Sequence, residues 1–372
     1  MSIEEFFEAA GPVPTKWIND WKKDKKTIGF FCSYIPEEII HAAGILPIRI
    51  NARGHHETDV GDGFLSRLNC TFCRTSLDKA LKGEYDFLDG LVSLNSCDHV
   101  RRTYDNWVHE KSPQFVHFLS VPHHATPEAI DWYRGEISLF KNKLQEHFKV
   151  QIPENKIKNS IKVFNETRKL LKALYEKRKE AELKITGKEA FAITISSTAL
   201  PRETFNQMLS KFLENYDSRP SLESKSRLLV VGSLIDDYEY IQLIEDMGAY
   251  VVTDAQCFGS KYFWNLVDEN KETLQALSER YLTKPACPRM IGDSVDHSTR
   301  LAYLKNMIKD FYVDGVVFES LKFCDLHSGE NYMFIKELKD LGVPVLVLDR
   351  EYTISGVGQM KTRVQAFLEV LA

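Results

Sequence analysis

The sequence lacks several features that would place it in a membrane, secreted or nucleic-acid-binding class. No apolar run approaches the length needed to span a membrane, and the first residues, Met1 to Glu5, have neither the basic nor the apolar region of a signal peptide. The net charge of -5 provides no overall positive field that would attract nucleic acid. We therefore expect a cytoplasmic protein without a membrane or nucleic-acid partner.

Several cofactor motifs are also missing. The chain has no Gly-x-x-x-x-Gly-Lys-Ser/Thr and no Gly-x-Gly-x-x-Gly, so the sequence does not indicate ATP or NAD binding by this chain. Cys70 and Cys73 form one Cys-x-x-Cys without a second copy, which argues against a zinc ribbon with four thiolates. The cysteine run typical of ferredoxins is absent as well.

The composition is that of a globular protein. The 372 residues include 43% hydrophobic and 27% charged residues, which suits two domains of ordinary size. Seven cysteines are an odd number. In a reducing compartment they are expected to be free thiols, metal ligands or nucleophiles rather than a disulfide framework.

A short pattern occurs twice and organises the chain. Residues 89–98 and 314–325 each begin as a turn at Asp-Gly, continue as an apolar strand, and end on a Cys-Asp pair, at Cys97 and at Cys324. The passages 27–50 and 228–252 also share the order strand, helix, glycine, strand. This repetition indicates an internal duplication.

The duplication predicts the fold class. We expect an α/β protein with two similar domains, each with a four-stranded parallel sheet of Rossmann or flavodoxin type, because continuous apolar strands are typical of sheets covered on both faces. The predicted boundaries are an N-terminal α/β domain at 1–150, a helical connecting segment at 151–226, and a C-terminal α/β domain at 227–372. The helical segment is predicted from apolar residues at spacings of three and four, interrupted by Arg168.

Three cysteines are candidate metal ligands. Cys97 and Cys324 follow equivalent strands, and ligands of open α/β sheets bind at the carboxyl ends of strands. Cys70 would complete a three-sided site for an iron–sulfur cluster. The alternative is that these are buried thiols that pack as small hydrophobic side chains. Cys73 has no predicted role, and Cys32, Cys257 and Cys287 are expected to be core or loop thiols.

Several motifs together resemble one known family. The sequence is similar to the subunits of 2-hydroxyacyl-CoA dehydratases and benzoyl-CoA reductases over nearly its whole length, and most similar to the smaller, C-type subunit of benzoyl-CoA reductase. The stretches that carry the resemblance are residues 39–47, Cys70 with Arg74, residues 85–90, 97–102, 118–123, 132–136, 323–325 and 358–363.

The resemblance implies a cofactor, partners and a reaction. It implies a [4Fe-4S] cluster held by Cys70, Cys97 and Cys324, a related cluster-bearing subunit that completes a heterodimer, and a separate iron–sulfur activator that alone hydrolyses ATP. The implied substrate is an acyl-CoA, reduced by one low-potential electron. In a benzoyl-CoA reductase this produces a radical anion of the aromatic ring, whereas in a 2-hydroxyacyl-CoA dehydratase, a lyase, a ketyl radical loses water.

Other interpretations remain open at this point. A double-cubane cluster reductase, a relative with six cysteine ligands, would need Cys73, Cys257 or Cys287 to converge with the others. A non-catalytic electron-relay subunit would carry a closed cluster. Candidate catalytic side chains after the first strand are Ser33, Glu37 and His41, and histidine is a common proton donor.

Overall fold

The structure is a computed structural model that describes residues 2–292, 294–352 and 356–371. Within these residues it contains two four-stranded sheets in which all neighbouring strands are parallel. The first sheet consists of β1 (Thr27–Phe30), β2 (Leu46–Arg49), β3 (Gly90–Leu94) and β4 (Phe115–Leu119). The second consists of β5 (Ser226–Gly232), β6 (Ala249–Ala255), β7 (Gly315–Leu321) and β8 (Val345–Arg350).

Helices precede, connect and follow the strands. Before, within and directly after the first sheet they are α1 (Ile3–Ala9), α2 (Lys16–Lys22), α3 (Glu37–Ala42), α4 (Thr71–Leu81), α5 (Asp98–Lys111) and α6 (Pro127–Phe148). The connecting helices are α7 (Glu154–Lys177), α8 (Gly187–Ser196) and α9 (Arg202–Glu214). Within and after the second sheet they are α10 (Tyr238–Glu245), α11 (Ser260–Phe263), α12 (Thr273–Thr283), α13 (His297–Asp310), α14 (Asp325–Asp340) and α15 (Val357–Leu371).

The two sheets have the same strand order. The first is ordered β2-β1-β3-β4 and the second β6-β5-β7-β8. In each sheet the first strand in the chain pairs with the second strand on one side and with the third strand on the other, and the fourth strand pairs with the third, as in flavodoxin-like folds. The predicted fold class, two similar parallel α/β domains with helices between them, is confirmed.

Glycines at matching places close the first helix of each sheet. Gly44 follows α3 with φ +79°, and Gly248 follows α10 with φ +108°. Glycine adopts this left-handed conformation without steric cost, so it ends the helix and directs the chain into the next strand.

Buried ion pairs connect the first sheet to the helical segment. Glu38 of α3 is completely buried and lies 2.5 Å from the Arg168 guanidinium of α7. Glu37 pairs with the buried Arg202 of α9. Arg168, which interrupts the apolar pattern in the sequence, is therefore an interior residue with a buried counter-charge. In the part of the chain that the structure describes, no helix combines the length and the apolar character that crossing a membrane requires.

Candidate metal centre between the two sheets

The carboxyl ends of the two sheets face each other across one cleft. Arg49, at the end of β2, donates from Nη1 to the carbonyl oxygen of Cys257 beyond the end of β6, at 2.5 Å. Lys284, after α12, donates from Nζ to the Ser33 hydroxyl beyond the end of β1, at 2.7 Å. Because ligands bind at the carboxyl ends of parallel strands, this shared edge is the candidate functional site.

Each of the three predicted ligand cysteines immediately precedes a helix. Cys70 caps α4, Cys97 caps α5 and Cys324 caps α14. The sulfur of Cys97 accepts a hydrogen bond from the Val100 N–H at 3.5 Å. The amino end of a helix carries unpaired N–H groups and a partial positive charge, and this local effect lowers the cost of an anionic sulfur at each of the three positions, in opposition to burial.

Direct contacts bring the three helix starts together. The backbone N–H of Cys70 donates to Nδ1 of His99 at 3.1 Å, and Nε2 of the same ring lies 3.3 Å from Oδ2 of Asp325. His99 therefore connects the first turns of α4, α5 and α14. The hydroxyl of Thr71 donates to the Glu351 carboxylate, which adds a second contact between the domains.

Cys70 is the thiol most strongly stabilised as a thiolate. Hydrogen bonds from the Cys73 thiol, from His99 and from the backbone N–H groups of Cys73 and Phe72 outweigh the effect of burial and lower the pKa of Cys70 to about 5. The same contact and burial raise the pKa of Cys73. Cys73 thus acts as the proton-bearing partner of Cys70.

Burial and nearby sulfur raise the other two thiol pKa values. Burial of the sulfur is the largest cause for Cys97 and for Cys324, whose pKa rises to about 12, and the neighbouring Cys70 thiolate adds to both. Arg101 and Arg102, in the first turns of α5, do not offset this rise in the pKa of Cys97. A bound metal cation reverses this effect, because it favours the deprotonated sulfur.

The residues fit an iron–sulfur cluster held by three cysteines. His99, two residues after Cys97, contacts the Cys70 N–H at 3.1 Å and the Asp325 carboxylate next to Cys324 at 3.3 Å, so the three cysteines lie on adjoining helix starts. Thiolates are the usual protein ligands of such clusters, and helix N–H groups compensate their negative charge. The assignment of these cysteines as ligands stays a prediction that the geometry supports.

Cys73 lies on the inner side of the first turn of α4. It is 1% exposed, and its N–H donates to the Cys70 carbonyl at 3.0 Å. This position is consistent with a Cys73 that donates a hydrogen bond to the Cys70 sulfur and is not itself a ligand.

The three candidate catalytic residues lie in different surroundings. Ser33 is 4% exposed and accepts a hydrogen bond from Lys284. Glu37 is 2% exposed and binds the Arg202 guanidinium, and His41 contacts the Glu203 carboxylate at 3.2 Å. Glu37 and His41 thus hold α3 against the connecting helices, and the structure does not bring them to the three cysteines.

Three further thiols were expected to be core or loop thiols, and two of them, Cys257 and Cys287, are among those that the double-cubane alternative needs to converge. Cys32 follows β1, Cys257 follows β6, and Cys287 lies between α12 and α13; all three are partly exposed. Cys287 and Cys70 occupy equivalent loops, since each lies between the second and the third strand of its sheet. A comparison of the two halves, loop by loop, could have revealed this equivalence.

A separate group of potential ligands is an ion-pair network. In the part of the chain described, His55, Glu57 and Asp78 are the group whose ligand atoms all lie within 4.8 Å of one another. However, the Lys82 ammonium lies 2.6 Å from Glu57 and 2.8 Å from Asp78. The site therefore already contains a cation, and its carboxylates are neutralised without a metal.

Comparisons with known proteins extend over most of the chain. Residues 32–371 match the family described as 2-hydroxyglutaryl-CoA dehydratase, D-component. The chain is 26% identical over 334 residues to the C-type subunit of benzoyl-CoA reductase from Thauera aromatica, covering 88% of this chain and 86% of that protein. It is 21% identical over 351 residues to the (R)-phenyllactyl-CoA dehydratase beta subunit of Clostridium sporogenes, covering 93% and 92%. It is 23% identical over 374 residues to the beta subunit of (R)-2-hydroxyglutaryl-CoA dehydratase from Acidaminococcus fermentans, covering 99% and 98%.

Proposed function

The chain belongs to the 2-hydroxyglutaryl-CoA dehydratase D-component family, and on that premise we propose that it is the iron–sulfur subunit of an enzyme that transforms an acyl-CoA. The proposed reaction is the reduction of an aromatic acyl-CoA, as in benzoyl-CoA reductase. The alternative within the family is the elimination of water from a 2-hydroxyacyl-CoA. The relatives carry both kinds of name, at identities of 26% and 23%.

One observation carries this proposal: His99 contacts the Cys70 N–H and the Asp325 carboxylate, and so links the starts of the three helices that Cys70, Cys97 and Cys324 precede. A [4Fe-4S] cluster bound by Cys70, Cys97 and Cys324 would supply single electrons of low potential. The chain itself contributes the anionic Cys70 sulfur and the helix N–H groups that stabilise negative charge. It also contributes His99. The hydrogen bond with the Cys70 sulfur and the charge of Asp325 raise the pKa of His99 although burial lowers it, so this ring holds a proton beside the site.

Exposed apolar residues next to the cysteines support a second protein chain at this site. Phe64 and Leu68, in the loop before Cys70, are 41% and 69% exposed, and Phe323, next to Cys324, is 42% exposed. Apolar side chains of this size grouped around a functional site are typical of protein interfaces. We propose that this rim is covered by a related subunit and that a separate ATP-hydrolysing activator delivers the electron, in the cytoplasm.

The first test measures iron and acid-labile sulfide in the anaerobically purified protein, produced together with its partner. Cys97→Ala and Cys324→Ala should each lose about four irons relative to the wild type. Cys73→Ala is the matched control, since it removes a thiol from the same helix start, and it should keep its iron. Full iron content in both ligand variants would refute the assignment.

The second test separates the proposed reactions. The EPR signal of the reduced protein is recorded before and after addition of benzoyl-CoA or of a 2-hydroxyacyl-CoA. A change with benzoyl-CoA alone would support the reductase, and a change with the hydroxyacyl thioester alone would support the dehydratase. An unchanged signal with both would favour an electron-relay subunit instead.

A further inference from the structure

A small polar cavity lies at the carboxyl ends of two neighbouring strands of the second sheet. Its volume is about 20 Å³, and Val231 of β5 and Ala255 of β6 line it on one side. The helices α11, α13 and α14 contribute Lys261, Arg300 and Asn331 to the other sides. A space of this size holds one water molecule or one ion of similar radius. Ligands of open α/β sheets bind at such strand ends.

An unpaired side-chain amide lines this cavity. Asn331 is 5% exposed, and among the described residues neither its Nδ2 nor its Oδ1 has a hydrogen-bond partner. Buried polar groups in folded proteins are almost always hydrogen-bonded, because an unpaired one loses its bonds to water without replacement. The amide therefore indicates that the cavity takes a polar guest.

The charges around the cavity leave one cation unbalanced. The Arg300 guanidinium pairs with the Glu330 carboxylate, so these two charges compensate each other. Lys261 is 8% exposed and, in the part of the chain described, has no carboxylate oxygen within ion-pair distance; its Nζ has one acceptor there, the Ala286 carbonyl oxygen at 3.5 Å. The nearby Cys287 does not supply the missing charge, because burial raises the pKa of its thiol. A buried cation without a counter-charge is unfavourable, so these surroundings favour an anion.

We propose that this cavity binds one small monovalent anion of the size of chloride, between the Lys261 ammonium and the Asn331 amide N–H. A single negative charge balances the single unpaired cation. A volume that fits one water molecule has no room for a polyatomic anion such as phosphate. A water molecule in the same place would satisfy the amide but would leave Lys261 without a counter-charge.

The anion adds a link between two helices. Asn331 belongs to α14, whose first residue follows Cys324, and Lys261 belongs to α11. Since the Asn331 amide has no partner among the described residues, an ion bound by both side chains creates a contact that the protein groups alone do not make. A ligand that binds only the folded state stabilises it, and the stabilisation grows with the ligand concentration. This inference concerns the chain alone and does not depend on acyl-CoA chemistry.

The first test compares the unfolding temperature in sodium chloride and in sodium gluconate at equal ionic strength. The anaerobically purified complex is followed by circular dichroism over a series of chloride concentrations. Chloride at about ten times its dissociation constant should raise the unfolding temperature by about 2–4 °C, whereas gluconate is too large to enter the cavity. The same unfolding temperature in both salts at every concentration would overturn the proposal.

Two variants assign the chloride effect to this cavity. Lys261→Met and Asn331→Leu keep the approximate side-chain volume and each remove one group that holds the anion, so both should lose the chloride-dependent rise. Lys336→Met removes an exposed lysine from α14 and, as the matched control, should keep it. If no anion binds, Asn331→Leu should be neutral or stabilising in both salts, because it replaces an unpaired buried amide by an apolar group. An undiminished chloride effect in both cavity variants would also refute the site.

A crystallographic measurement on the unmodified complex covers the case of a misfolded variant. Crystals are soaked in sodium bromide, and anomalous scattering at the bromine absorption edge locates the bound ions. We expect a peak between Lys261 Nζ and the Asn331 amide. Bromide peaks on the protein surface without one in this cavity would overturn the proposal.

Discussion

The buried pair between Glu38 and Arg168 gives the sharpest stability prediction. The Glu38 side chain is 0% and the Arg168 side chain 6% exposed, with 2.5 Å between Oε1 and Nη2. Tyr281 donates a further hydrogen bond to Glu38 at 2.8 Å. Glu38→Gln keeps the shape and leaves a buried guanidinium without its counter-charge, which costs about 3–5 kcal/mol. We expect a value near the lower limit, because glutamine can still accept a hydrogen bond.

Two further variants isolate the pair itself. Arg168→Met removes the cation alone, and the double variant with Glu38→Gln removes both charges. Since loss of both partners leaves no uncompensated charge, the double variant should be less destabilised than the sum of the single variants by about 2 kcal/mol. Glu203→Gln, which removes an exposed carboxylate from the same region, is the control and should cost under about 1 kcal/mol.

The contribution of Glu38 to the free energy of unfolding depends on pH in a definite direction. Burial acts to raise the pKa of Glu38, but the charges of Arg168 and Arg280 outweigh it and hold the pKa below its ordinary value. The stabilisation is therefore complete above the pKa of the unfolded chain, about 4.3, and is lost as the pH falls through the lower pKa of the folded state. The difference in the free energy of unfolding between wild type and Glu38→Gln should therefore become smaller as the pH is lowered.

The assay is urea unfolding at pH 7 under anaerobic conditions, followed by circular dichroism and tryptophan fluorescence. Both probes are needed, because a chain with two α/β domains need not unfold in a single step. Single-variant costs that simply add in the double variant, within about 0.5 kcal/mol, would refute the buried-pair argument.

Two other predictions concern a partly buried histidine and a glycine. Burial lowers the pKa of His117 to about 4. The free energy of unfolding should therefore decrease as the pH falls from about 6.5 towards 4, by up to about 1.4 kcal/mol per pH unit. In urea unfolding at several pH values, His117→Phe should remove this pH dependence, whereas a substitution of the exposed His109 should leave it. Gly232 has φ +129°, and an added Cβ would lie 1.8 Å from the Glu319 carbonyl oxygen, so Gly232→Ala should destabilise the protein by more than about 3 kcal/mol in the same assay. Gly135→Ala, in a helix with open space around it, should instead be neutral or stabilising, and equal effects of the two substitutions would contradict the steric argument.

Local chemistry along the chain determined the fold class. Parallel strands covered on both faces are rich in apolar residues, so the runs at 90–92 and 315–318 are recognisable without any partner strand. Glycines such as Gly44 and Gly248 mark helix ends because few other residues adopt a positive φ. The repeated strand that ends in Cys-Asp also located Cys97 and Cys324 at the same edge of each sheet.

The tertiary structure alone decided which of these edges meet. Cys70, Cys97 and Cys324 lie on three segments far apart in the chain, and the contacts of His99 with Cys70 and Asp325 that link these segments exist only in the folded protein. Arg168 interrupts an apolar helix face in the sequence, and only the packing of α3 against α7 supplies its counter-charge, Glu38. Sequence periodicity records whether a position is buried, but the partner of a buried charge or thiol is fixed only when the domains pack together.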